Sequence, residues 1–128
     1  MEYRAVLIDT SLVIEYLRSA DKPTTRFISL FKAHDLVISV ISVFELLNGA
    51  TTKEKITDIR KICKSLTIID FNVECAEKAS EIYRELKTQN KLIEFRDILI
   101  GATAIANNYP LATSNKKHFE RLREIKLI

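Results

Sequence analysis

Short continuous apolar runs alternate along this chain with longer stretches whose apolar residues recur every three or four positions. The runs have the length and all-apolar character of strands buried on both faces of a parallel sheet. They predict strands at residues 3–9, 36–39, 67–70, 110–113 and 125–128. The stretches between them have the helical period. Leu12, Val13, Tyr16 and Leu17 mark a first helix, with Thr10 or Ser11 as its cap. Pro23 is placed to start a second, with Phe27, Leu30 and Phe31 on one face. Ser42 can cap a short third helix that stops at Asn48 and Gly49. Ile56, Ile59, Ile62, Cys63 and Leu66 line a helix over residues 52–66. Asn72 is placed to cap a long helix carrying Cys75, Ala76, Ala79, Ile82, Tyr83 and Leu86 inward. Residues 96–107 are apolar nearly all round, which predicts a helix buried in the fold or packed on a partner. A last helix is expected over residues 115–122.

Strands alternating with helices define an α/β fold with a mainly parallel sheet of about five strands and helices on both faces. The 128 residues suffice for one domain with a real core, so a single domain over 1–128 is expected. An apolar content of 47% with 29% charged residues argues against disorder. No apolar run approaches the ~20 residues of a membrane span, and no leader pattern opens the chain, so a cytoplasmic protein is expected. Cys63 and Cys75 lack metal-ligand spacing and read as small core residues. The net charge of +3 is compatible with a polyanionic partner without demanding one.

Candidate chemistry gathers where apolar runs end. Asp9 closes the first strand, Glu45 follows the second, and Asp97 opens the apolar helix. In parallel α/β sheets ligands bind beyond the carboxyl ends of the strands. Acids delivered to that edge from distant positions form an all-oxygen site, which favours magnesium or manganese over zinc. Such a site suits metal-assisted phosphodiester hydrolysis. Each acid also has a local reading. Glu45 stands at capping-box spacing from Ser42. Asp97 is a first-turn acid favoured by the helix dipole. Thr113, Ser114 and Asn115 lie between a strand and a helix, where Ser114 or Asn115 can cap and Thr113 and Asn115 can hold a phosphate oxygen or a metal-bound water. His34 and His118 are lone histidines, for which a surface or packing role is the commoner one.

Taken together, these segments resemble a known family. Leu7-Ile8-Asp9-Thr10-Ser11, then Ile41-Ser42-Val43-Phe44-Glu45-Leu46, then Asp97-Ile98-Leu99-Ile100-Gly101-Ala102, then Leu111-Ala112-Thr113-Ser114-Asn115 with His118-Phe119, are similar to the PIN-domain ribonucleases. The likeness is to the VapC-like toxin branch of prokaryotic toxin–antitoxin pairs and covers essentially the whole chain. It implies a three-layer α/β/α domain with Mg2+- or Mn2+-dependent endoribonuclease activity on single-stranded regions of structured RNA. The family's three acidic motifs fall on Asp9, Glu45 and Asp97. Its fourth acidic position falls on Asn115, where a neutral amide weakens any second metal site. Thr113 and Ser11 match the polar residues of the flanking motifs, and Glu94 is a possible further carboxylate.

Two other functions share the architecture. A phosphoacceptor receiver domain needs paired acids after the first strand, which Asp9 lacks. A non-catalytic RNA- or partner-binding module would have no use for the three acids. Arg96, Lys116 and Lys117 are the leading candidates for steering RNA. A homodimer is expected from surplus apolar helical surface, chiefly the 96–107 helix and the helices between residues 11 and 34. The resemblance adds an antitoxin segment lying across the active-site cleft.

Overall fold

The computed structural model describes residues 4–128. Four parallel strands, β1 (Ala5–Ile8), β2 (Asp35–Ser39), β3 (Thr67–Ile69) and β4 (Leu111–Ala112), form a sheet of order β3-β2-β1-β4. Val6, Leu7 and Ile8 have no exposed surface. Alternate side chains leave a strand on opposite faces. Leu7, Val37 and Leu111 accordingly enter one core, while Val6, Ile8, Leu36, Ile38 and Ala112 enter the other. This two-sided burial explains why the strands read as continuous apolar runs.

Four helices cover the second core: α1 (Thr10–Arg18), α2 (Arg26–Ala33), α3 (Val40–Gly49) and α4 (Lys53–Lys64), through Leu12, Val13, Phe27, Leu46 and Ile59. The first core is covered by α5 (Val73–Thr88), α6 (Phe95–Ala106) and α7 (Lys116–Phe119), through Ala79, Ile82, Leu86, Ile98, Ile100 and Phe119. The result is a three-layer α/β/α architecture. The chain builds outward from β1 to β3 along one face. It then crosses the other face to place β4 on the far side of β1, as right-handed crossovers require. Strand order therefore reverses at β1, and the crevice beyond the ends of β1 and β4 is the switch point where such sheets bind ligands.

Several local expectations are corrected. The last strand, residues 125–128, is reduced to one bridge, Leu111 to Leu127, because β4 is two residues long and offers little edge to pair with. The first strand begins at Ala5, and Tyr3 lies outside the described residues. Pro23 starts only a 3-10 turn, Lys22–Thr24, and α2 begins after Thr25. Phe31, expected on one face with Phe27 and Leu30, is substantially exposed and stacks on Phe27. Ala76, expected inward, is exposed on α5, whose Asn72 cap holds as expected. The last helix is confined to α7. The apolar girth of α6 is satisfied within the chain: Ile98, Ile100, Ala102 and Ala104 are buried, and a Cβ on Gly101 would overlap Leu122 Cδ2. Apolar surface instead remains at Phe95, the first residue of α6, and at Phe44. Cys75 is buried and Cys63 half-buried, both as free thiols.

Candidate active site

Asp9 occupies the turn from β1 into α1. Its backbone N–H extends the sheet to the Ala112 carbonyl at 2.9 Å, and its carboxylate accepts from Thr10 N at 2.8 Å. Asp9 is thus itself the cap of α1, in place of Thr10 or Ser11. Its Oδ2 accepts from Thr113 Oγ1 at 2.7 Å and from Ser11 Oγ at 3.0 Å. Both hydroxyls also accept backbone N–H groups, Thr113 Oγ1 from Asn115 and Ser11 Oγ from Ser114. Two hydroxyl relays therefore latch residues 113–115 onto a buried carboxylate. Burial raises the Asp9 pKa, and the charge of Asp97 adds to the rise, against the lowering by these donors. From behind, Arg26 donates to the Thr113 carbonyl at 2.9 Å and to the Ile128 carbonyl, which holds the end of β4 in place.

Glu45 arrives from α3. Ser39 at the end of β2 caps that helix, its Oγ accepting from Ile41 N at 3.0 Å. The expected Ser42–Glu45 capping box is therefore absent. Ser42 lies inside the helix, buried, and Glu45 points from the second turn. Thr10 Oγ1 stands 3.0 Å from Glu45 Oε1 and 2.8 Å from Ser42 Oγ. With a single proton it donates to the carboxylate and accepts from Ser42. Glu45 Oε2 faces Arg96 Nη1 at 3.1 Å. Burial raises the Glu45 pKa; Thr10 and Arg96 lower it, and the charges of Asp9 and Asp97 raise it further.

Asp97 stands in the first turn of α6, where the helix dipole favours a negative charge. Its Oδ2 lies 3.0 Å from His118 Nδ1, which is also 2.7 Å from Asn115 Nδ2. One ring nitrogen cannot donate to the carboxylate and accept from the amide together. With its proton on Nδ1 the ring donates to Asp97; with its lone pair there it accepts from the Asn115 amide. Asn115 sits at the cap position of α7 without making a side-chain cap bond. The capping role open to it in the sequence is therefore not the one it plays. Glu94 is exposed; Arg96 Nη2 lies 2.6 Å from its Oε2 and holds its carboxyl below the usual range.

The three acids thus meet at one sheet edge, joined by a nearly continuous set of contacts. It runs from Glu45 through Thr10 to Asp9, then through Thr113 and Asn115 to His118 and Asp97. His118 was not expected there. Its sequence signals are its place beside the last family-like segment and the three-residue spacing from Asn115, which puts both on one side of a helical turn. Thr10 and Ser42 were likewise read only as caps.

An all-oxygen donor set of partly desolvated, mutually repelling carboxylates fits a hard divalent cation. In the arrangement described, Arg96 engages Glu45 and His118 engages Asp97. Among the described residues no three acidic, imidazole or thiol groups stand close enough together to share one ion.

A parallel sheet reversing at β1, with acids from three elements at the reversal, is the architecture of a PIN domain. The chain belongs to this family, which it matches over residues 6–125. It is 37% identical to Ribonuclease VapC1 of Methanocaldococcus jannaschii, over 98% of this chain and 87% of the relative. It is 29% identical to Ribonuclease VapC10 of Mycobacterium tuberculosis, over 94% and 90%. The crystal structure of VapBC2 from Rickettsia felis, bound to a DNA fragment from their promoter, contains a chain that superposes with a TM-score of 0.83. That chain is 28% identical, with 97% of each covered. These likenesses leave no place for the receiver-domain reading.

Proposed function

We propose that this protein is a metal-dependent endoribonuclease, the toxin of a toxin–antitoxin pair, acting as a single domain over residues 1–128. The observation that carries the reading is the convergence of Asp9, Glu45 and Asp97 at the switch point of the sheet. The ribonuclease relatives and the VapBC2 complex support the same activity and an antitoxin partner.

In this reading Asp9, Glu45 and Asp97 hold Mg2+ or Mn2+, with Asn115 as a neutral oxygen donor. When bound, the ion supplies charge stabilisation to the attacked phosphate and acidity to a water nucleophile. Thr113 and Ser11 fix the Asp9 carboxylate, and Thr10 fixes one oxygen of Glu45. His118 orients Asp97 and Asn115 together. Lys116 and Lys117, exposed on α7 beside the site, attract the RNA backbone. A homodimer is part of the proposal. The groove between α5 and α6, lined by Phe71, Tyr83 and Phe95, presents apolar surface for a second copy. A cytoplasmic location follows from an RNA substrate, and no helix among the described residues is long and apolar enough to cross a membrane.

The test is cleavage of a structured RNA by purified protein, titrated with Mg2+ and Mn2+. Asp9→Asn and Asp97→Asn are expected to keep the fold by circular dichroism and to lose cleavage. Cleavage at the wild-type rate by either variant would falsify the assignment.

A further inference from the structure

A divalent cation approaching Glu45 meets a competitor already in place. Both oxygens of Glu45 are engaged, Oε1 by Thr10 and Oε2 by Arg96. The two partners differ in how easily they can leave. Thr10 is buried and tied to Ser42. The Arg96 side chain is 57% exposed, and its second amino group already holds Glu94 Oε2 at 2.6 Å. A guanidinium presents its donors as a rigid fork, so one group can bridge two carboxylates. Here the fork spans a half-buried acid inside the site and a solvated acid outside it. Releasing Glu45 leaves Arg96 paired, so the exchange strands no charge.

We infer that Arg96 is the resident counter-cation of Glu45, which a divalent ion must displace, and that Glu94 is the holding partner that retains Arg96 when it leaves. This rests on the metal-site reading above and deepens it. Glu94 becomes a positioning residue outside the ligand set. Cation occupancy becomes a competition with an ion pair of the chain itself.

Partly exposed ion pairs shift an equilibrium by about 1.5- to 5-fold. Calorimetric titration of Mn2+ into the full chain, without RNA, reads the competition directly. Arg96→Gln is expected to tighten Mn2+ binding within that range. Glu94→Gln is expected to loosen it, because Arg96 is then left to Glu45 alone. Through-space charge gives the same two signs, so the double variant decides. If Glu94 acts through Arg96, Glu94→Gln has no effect in the Arg96→Gln background, whereas independent charges add. Arg96→Lys, which keeps the charge and loses the fork, is expected to shrink the Glu94→Gln effect as well. Wild-type Mn2+ binding that Arg96→Gln leaves unchanged, or additive single effects, overturns this inference and spares the metal site. Absence of Mn2+ binding in both wild type and Arg96→Gln overturns the metal site and the inference with it.

Discussion

Asp9 and the pair Glu45 and Asp97 sit at one sheet edge but are held by opposite means. Asp9 is 4% exposed and accepts only from neutral donors: two hydroxyls and a backbone N–H. Each hydroxyl is fixed in turn by a backbone N–H of residues 114–115. Glu45 and Asp97 lie nearer the surface, with side chains 13% and 15% exposed. Glu45 faces a guanidinium as well as the Thr10 hydroxyl, and Asp97 a ring nitrogen of His118. Neutral donors orient a carboxylate without cancelling its charge, whereas a cation cancels charge and can be exchanged for another. The deep acid is therefore built to be permanent, and Glu45 to be contested.

The sharpest way to break this contrast is to remove the deep support. Thr113→Val deletes the hydroxyl shared by Asp9 and Asn115 N while nearly keeping its volume. Leaving buried polar groups unpaired costs about 1–3 kcal/mol. The variant is expected to melt several degrees lower and to cut RNA much more slowly. A normal melt with normal cleavage would show that the relay is incidental.

On the shallow side, Asn115→Ala is expected to slow cleavage with little loss of stability, because the side chain makes no cap bond to lose. A lost cap would cost about 0.5–2 kcal/mol. Asn115→Asp is expected to tighten metal binding by adding charge to the donor set. Thermal melts beside cleavage rates against metal concentration separate the two roles. An Asn115→Ala protein that melts early yet cuts normally removes Asn115 from the site.

Proton and metal linkage sharpens the contrast further. Asp9 and Glu45 both have raised pKa values, with burial the first cause. Folding therefore favours their protonated forms. The stability this contributes is complete below their unfolded values, at about pH 4, and is lost as pH rises through the raised folded values. Metal-free protein is expected to lose this contribution as pH rises from about 4, and saturating Mn2+ to restore more stability the higher the pH in that range. Melting temperatures with and without Mn2+ across that range measure it. A Mn2+ increment that does not grow with pH contradicts it.

The smallest effect concerns the rim. Replacing Lys116 and Lys117 by alanine is expected to weaken RNA binding and to lower the log–log salt slope by about one per lost contact. An unchanged slope would make them a solvated face.

Much of this was legible in the sequence, for identifiable reasons. The strands and helices differ in apolar period, and burial on both faces of the sheet keeps the strand signal continuous. The three acids and Thr113 stand out as candidates because each lies where an apolar run meets a more polar stretch. Caps were less legible. Ser39 and Ser42 both precede Glu45 as possible caps of its helix, and only the backbone turn decides between them. Asp9, a site candidate from its place after β1, is also the cap of α1. The pairings of Arg96 with Glu45 and of His118 with Asp97 join side chains from separate elements, which no local pattern reports. Residues 125–128 have a strand's composition, but the two residues of β4 give them almost no edge to join.

The bond from Thr113 to Asp9 spans 104 residues. A ribosome adding ~5–20 residues per second makes its acceptor about 5–20 s before its donor. Until β4 is made, β1 has no partner strand for its other flank. Asp9 then has neither its Thr113 donor nor the backbone of residues 114–115 to fix its surroundings. The surroundings of Asp9 are thus completed only after residues 113–115 have been made. A nascent chain that has not yet reached Thr113 carries Asp9 without the frame that aims it.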